Sequence, residues 1–388
     1  MELTSLFRET YHAMPTLLAL APWRVNPLVE HVDYNDGAVL PCAIDRAVHL
    51  AAAPTDDDTV TLFAPDLKQR VSFPVAALAE KKDRDGNPLP SWALYPAGVG
   101  WAMQQAGYPV RGMRAVYTSD VPIGAGLSSS AAVEMAFAVT FEALGSRRIE
   151  RMALAQMGQR AENEYVGLSS GLMDQFASAH GVEDHALYFD TRDLTWEALP
   201  LPTGTAIVIA DSGVRRTLAT SAYNERHAAC EHAVELLRRY LPNLHSLRDI
   251  SPAEFAAYSE FLPETVRRRA EHVVKEIARV ETAVIALRRG ETRHFGGLMF
   301  AGHASLRDLY EVSTPELDAL VNIARGLPGC YGARLTGAGF GGCTVNLVEQ
   351  SQAATFIERL SNGYRQQTGR EAQVYLCRAS GAAGCSPL

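Results

Sequence analysis

The stretch SSSAAVEMAFAVTFEAL (128–144) limits the possible folds more than any other part of the chain. Its spacing is helical, yet its apolar residues run nearly all the way round, leaving no broad polar face. Such a helix cannot lie on a surface, so other layers must cover it. The rest of the pattern supplies those layers. VHLAAA (48–53), TVTLFA (59–64), MRAVYTSDV (113–121) and QVYLCRA (373–379) read as strands. AIVIAD (206–211) reads as a fully buried strand with a polar end. Residues 93–106, 221–241 and 264–289 read as helices, the last two long and amphipathic. KKDRDGNP (81–88) is a charged turn, and ARLTGAGFGGCTVNLV (333–348) a glycine loop running into a strand. The punctuation LPLPTGT (199–205) predicts a domain change near residue 200, giving an α+β protein in two domains, 1–200 and 201–388.

Composition excludes several function classes. With 47% hydrophobic and 21% charged residues the chain reads as a soluble globular protein. A net charge of −8 and the lack of a dense Lys/Arg block argue against a nucleic-acid partner. RRRAEHVVKEIAR (267–279) is basic, but its glutamates make it read as a solvated helix face. No apolar run is long enough for a membrane span, and the first residues, MELTSLFRETYHAMP, lack the apolar core of a signal peptide. Cysteines 42, 230, 330, 343, 377 and 385 are scattered without CxxC pairs. Neither a disulfide framework nor a zinc site is expected, and a reducing cytoplasm fits.

Four stretches carry polar chemistry. In VPIGAGLSSSAAVEMA (121–136), Gly124 and Gly126 permit a close backbone approach, and the serines 128–130 open a helix. Free N–H groups and the positive end of the dipole make that helix start an anion site suited to phosphate. The plainer alternative is a glycine turn with a serine cap. QRAENEYVGLSSGLMDQF (159–176) holds Glu162, Glu164 and Asp174. Carboxylates near a phosphate loop suit Mg²⁺, and an Asp beside a hydroxyl can accept its proton. Equally, Asp174 could cap the helix that follows it and Glu162 could be a surface residue. RLTGAGFGGC (334–343) lacks the context of a dinucleotide fold, so it reads at most as a loop supporting another loop. APWRVNPLVEHVDYNDG (21–37) packs Arg24, Glu30, His31, Asp33 and Asn35 between apolar residues, more polar chemistry than a strand needs.

Taken together, these stretches resemble the GHMP kinases, and among them the branch that phosphorylates galactose. The likeness runs from about residue 20 to 380. APWRVNPLVEHVDYND stands where the family has its first motif, PIGAGLSSSAA matches its phosphate loop without a gap, and TGAGFGGC matches its late glycine loop. GLMDQFASAHG, ADSGVRRTLATSAYNERHAACE and HASLRDLYEVSTPELDAL lie between them. The resemblance implies an N-terminal domain like domain 2 of ribosomal protein S5 and a ferredoxin-like C-terminal domain, with the active site in the cleft between. It implies transfer of a phosphoryl group from ATP to the anomeric hydroxyl of the sugar, with Mg²⁺. By position, Asp174 and Arg24 fall on the catalytic pair. Glu30, His31, Asp33, Gly171 and Tyr223 fall on the sugar-binding positions, and Ser130 and Glu162 on the magnesium positions. Pro122, Gly124, Ala125, Gly126, Leu127, Ser128, Ser129 and Ser130 would wrap the triphosphate, with Trp92 and Tyr95 at the adenine pocket. The implied partners are a small sugar and ATP, with no nucleic acid and no membrane; a monomer or weak homodimer is expected in the cytoplasm.

The first motif departs from the family's pattern. Trp23 replaces a glycine just before Arg24; Pro27, Leu28 and Val29 replace Leu, Ile and Gly; Val32 replaces Thr. A glycine in such a place signals an unusual φ or close packing. A kinase for another sugar, or a sensor that binds sugar and ATP without turnover, therefore stand beside the leading expectation. The complete run Ser128–Ala132 favours an enzyme over a sensor.

Overall fold

The computed structural model describes residues 3–120, 129–215 and 219–388. In chain order its strands are β1 (Leu17–Leu28), β2 (Leu40–Pro54), β3 (Thr59–Ala64), β4 (Gln69–Pro74), β5 (Met113–Ser119), β6 (His185–Phe189), β7 (Trp196–Pro200), β8 (Thr205–Asp211), β9 (Cys330–Thr336), β10 (Cys343–Glu349), β11 (Gln373–Cys377) and β12 (Gly384–Pro387). Its helices are α1 (Leu3–Tyr11), α2 (Leu94–Gln105), α3 (Ser129–Gly145), α4 (Arg151–Arg160), α5 (Met173–His180), α6 (Ala219–Leu237), α7 (Pro252–Tyr258), α8 (Glu264–Arg288), α9 (Thr292–Ser305), α10 (Pro315–Gly326) and α11 (Ala353–Thr368).

β1 to β5, joined by β12 from the end of the chain, form a six-stranded sheet in the order β12-β1-β2-β5-β3-β4, antiparallel except for the β3–β5 pair. α3 packs on β1 and β2 as the buried helix its composition demands, with Ala131 to Phe141 almost wholly covered. The second half forms an antiparallel sheet in the order β11-β8-β10-β9. β8 shows why a continuous apolar run is needed at its centre. Ile207 and Ile209 face the core shared with the first half, while Val208 and Ala210 face the separate core under α10 and α11. One apolar core thus runs through both halves and holds the two sheets against each other.

Local chemistry sets the element ends. Thr314 caps α10 by accepting the Leu317 N–H, and Pro315 takes the first helical position, where its missing N–H costs nothing. Gly369, at φ 72°, ends α11. Two expectations change. The expected closing strand, 373–379, ends at Cys377, and the chain then crosses back so that β12 pairs with Leu17–Leu20 of β1. The split at residue 200 does not capture that return. The basic stretch 267–279 is not a solvated face: Arg269, His272 and Glu276 are buried, and Arg269 pairs with Glu311.

Candidate active site

β1 carries the first motif through the junction between the sheets. Pro27 lies where β1 slips by one residue against β2, between the pairs Val25↔Cys42 and Leu28↔Leu40. A bulge is one of the few places in a sheet that accepts a residue without a donor. After Leu28 the backbone enters the left-handed region at Val29 (φ 76°) and again at His31 (φ 63°). Those two turns bracket Glu30 and aim its side chain out of the line of the strand. This is the unusual φ that a glycine would have accommodated at 29.

Arg24 is buried, and its guanidinium grips Asp174 with both oxygens engaged, Nε to Oδ1 at 2.7 Å and Nη2 to Oδ2 at 2.8 Å. Asp174 lies in the first turn of α5 and does not cap it, so the capping reading is overturned. Burial works against the charge on Arg24, but Asp174 and Glu30 outweigh it and raise its pKa. Its remaining nitrogen, Nη1, is buried without a hydrogen-bond partner among the described residues.

Glu30 is also buried, and its Oε1 accepts the Gly337 N–H at 2.5 Å. Burial pushes its carboxyl up to about 7 against the pull of Arg24 and Arg334. Asp33 is likewise raised to about 7, by burial and by the neighbouring charge of Asp174. Gly171 lies directly against Asp33, where any Cβ would overlap the carboxylate. These residues come from β1, the turn after it, and the segment before α5; folding brings them together.

His31 has both ring nitrogens engaged by protein. Nε2 sits 3.1 Å from the Ala338 carbonyl and so donates, which leaves Nδ1 to accept from the Tyr34 hydroxyl at 2.9 Å. Tyr34 in turn is 2.7 Å from the Tyr310 hydroxyl. Tyr223, from α6, packs its ring 5.2 Å from His31 and 5.5 Å from Tyr34. The glycine loop at 337–342 is the floor of this arrangement. It bends through positive φ at Gly337, Gly339, Phe340, Gly341 and Gly342, and side chains at 339 or 341 would strike the carbonyls of Val312 and Val214. It therefore does support another loop, through Glu30 and His31.

Glu162 is buried rather than superficial. Its Oε2 accepts from Ser170 Oγ at 2.5 Å and Gln175 Nε2 at 3.0 Å, and Ser130 hydrogen-bonds it as well. Burial raises its pKa. Gln175 Nε2 also reaches Glu134 Oε2 at 2.8 Å. Tyr95 feels the charges of Glu162 and Glu134, whereas Trp92 packs against Tyr117 and donates its indole N–H to Gln69. Pro122, Gly124, Ala125, Gly126, Leu127 and Ser128 lie outside the described residues, as does the side chain of Ser129. Trp23, fully buried, belongs to the apolar core. The regular pairing of 23–25 with β2 puts it on the opposite face from Arg24.

Sequence reasoning missed Tyr34, Tyr310, Gln175, Glu134 and Arg334. Arg334 stood in plain sight as the first residue of RLTGAGFGGC, a charge placed where a β-strand should be apolar.

Known proteins share this organisation. Residues 5–54 match the galactokinase galactose-binding signature, residues 95–182 the GHMP kinases N terminal domain, and residues 283–366 the GHMP kinases C terminal domain. A galactokinase of Roseiflexus sp. (strain RS-1) is 47% identical over 383 residues, covering 99% of this chain and 96% of the relative. A crystal structure of Lactococcus lactis galactokinase complexed with galactose superposes with a TM-score of 0.92 at 34% identity, covering 98% of each chain. Methanococcus jannaschii mevalonate kinase shares the fold at a TM-score of 0.65 and 17% identity, covering 94% of this chain and 99% of its own.

Proposed function

The chain belongs to the galactokinase family, and we propose from that premise that it transfers the terminal phosphoryl group of ATP to the anomeric hydroxyl of galactose, giving galactose 1-phosphate and ADP. The observation that carries the reading is the two-pronged Arg24–Asp174 contact beside the carboxyl groups of Glu30 and Asp33. Phosphoryl transfer asks the protein mostly for positioning and charge stabilisation. Asp174, held by Arg24, orients the C1 hydroxyl and accepts its proton. The unpartnered Nη1 of Arg24 meets negative charge that develops on the reacting oxygens. Glu30 and Asp33 accept from sugar hydroxyls, Gly171 leaves room beside Asp33, and Tyr223 closes the wall. His31, with both nitrogens engaged, shapes that wall.

The triphosphate falls to residues 122–130, the stretch that matches the family's phosphate loop, with Trp92 and Tyr95 toward the adenine. Magnesium fits the oxygen donors available: the buried Glu162 carboxylate and the Ser130 hydroxyl touch each other, and phosphate oxygens and water complete such a shell. Bound there, the ion neutralises phosphate charge. No disulfide joins the described cysteines, which suits a reducing cytoplasm, where the protein acts on small molecules as a monomer or weak homodimer.

ADP release measured over galactose, N-acetylgalactosamine, glucose and a pentose tests the reading. Turnover with galactose is expected. Turnover only with another sugar reassigns the substrate, and tight binding without turnover makes the protein a sensor.

A further inference from the structure

We propose that Arg334 is a positioning residue for Glu30, carrying the grip on the sugar across the junction between the two sheets. The inference rests on the reading above, in which Glu30 binds galactose through its ionised carboxylate.

Arg334 stands on β9 with no exposed surface. Its Nη1 donates to Glu276 Oε1 at 3.1 Å, its Nε donates to the Leu335 carbonyl at 3.1 Å, and its Nη2 is buried without a hydrogen-bond partner. Gly337, which donates to Glu30, follows three residues later on the same chain segment. Glu30 thus feels the charge of Arg24 from its own strand and of Arg334 from β9, and it is held directly by Gly337 from the loop that follows β9. The arrangement has little slack. α9 passes the Arg334–Glu276 pair at Gly302, where a Cβ would lie 3.1 Å from Arg334 Nη1 and 3.2 Å from Glu276 Oε1.

Stability does not account for such a pair. Desolvation offsets most of the attraction between buried charges, and apolar residues of similar volume serve as well or better. What apolar residues cannot do is oppose the burial of a third group that must stay ionised. Burial lowers Arg334 to about 10, and the charge of Glu30 works against that fall. The other groups facing this cluster are Asp174 on α5, His272, Glu276 and Arg279 on α8, and His303 on α9. Asp33, which titrates in the same range, shows no pull from Arg334 among its main influences.

The test is calorimetric titration of galactose and of ATP, each alone, between pH 5.5 and 8.5, on wild type, Arg334→Met, Arg334→Lys, Glu30→Gln and Arg334→Met/Glu30→Gln. Arg334→Met should weaken galactose binding about fivefold at pH 7 and move its acid-side loss up by about one pH unit, while ATP affinity stays within about twofold. Arg334→Lys, which keeps the charge, should recover most of the loss. In the Glu30→Gln background the methionine should add no further pH shift. Should Arg334→Met fail to fold, Arg334→Gln, which removes the charge and keeps a donor for Glu276, should show the same shift. An unmoved acid-side loss, an equal loss for ATP and galactose, or the same shift without Glu30 overturns the proposal. Wild-type protein that binds no galactose overturns the preceding reading instead.

Discussion

Arg24 and Asp174, 150 residues apart in the chain, meet in two parallel hydrogen bonds of 2.7 and 2.8 Å. The planar fork of the guanidinium matches both carboxylate oxygens, so one contact fixes distance and orientation together. Asp174→Asn keeps the shape of the side chain and removes its ability to take a proton. Turnover should fall by about 10²- to 10⁴-fold, the range general-base catalysis supplies, with ATP binding little changed. Steady-state kinetics and ATP calorimetry check this, and near-normal turnover in the variant would refute the role.

Trp23 adjoins Arg24 yet belongs to the core, with 0% of its surface exposed and its indole nitrogen unpartnered. Its bulk therefore fills the space beneath the strand and leaves the Arg24 face clear. Trp23→Ala should cost about 3–5 kcal/mol of stability, as for other buried aromatic truncations. Trp23→Phe gives up some volume but also a buried donor with no partner, so it should cost no more than about 1–2 kcal/mol. Urea unfolding measures both. If the two variants fall equally, the indole nitrogen has a partner that matters.

Much of this was legible in the sequence because it is local. The strand at 59–64 and the buried helix that starts among the serines follow from period and composition alone. The polar crowding of residues 24–35 announced a site, since a strand has no need of Glu30 or Asp33. What escaped depends on partners far along the chain. GCSP (384–387) has too few residues and too little alternation to read as a strand, and it becomes one by lying against Leu17–Leu20. Arg269 reads as a surface charge until Glu311 reaches it, and Glu276 does so until Arg334 arrives from β9. Asp174 was ambiguous for the same reason, because only the paired contact with Arg24 tells a gripped carboxylate from a cap.

Val29 occupies a conformation that a β-branched residue rarely adopts, φ 76°, and it is fully buried. The left-handed backbone costs a residue with a Cβ roughly 1–2 kcal/mol, while losing the buried methyl groups costs a comparable amount. The two effects separate when Ala and Gly are compared. Val29→Ala loses the methyls and keeps the strain, whereas Val29→Gly loses the methyls and relieves it. The glycine variant should be the more stable of the two by about 1 kcal/mol, the reverse of the usual order within a strand or helix. Denaturant midpoints at matched slopes decide it; alanine equal to or better than glycine would mean that the backbone turn at 29 carries no strain.

Glu30 sets folding against binding. Its carboxyl is pushed up to about 7 in the folded protein, from an ordinary value of 4.5, chiefly by burial. A raised folded pKa means that the folded state holds a proton the unfolded chain has already released. Its contribution to stability is therefore present in acid and is lost as pH rises from about 4.5 through 7. At pH 8 the buried, ionised carboxylate should cost the empty protein on the order of 3 kcal/mol. Glu30→Gln has no proton to lose. Its stability relative to wild type should climb from near zero at pH 5 toward that figure at pH 8, and taking the difference cancels the contributions of His272 and His303. Galactose affinity should run the other way in wild type, strengthening over the same range as the carboxylate ionises to accept sugar hydroxyls. Urea unfolding at pH 5, 6, 7 and 8 measures the first trend and calorimetry the second. A stability difference that stays flat across the range would mean that Glu30 is charged throughout, with the sugar wall assembled at no electrostatic cost.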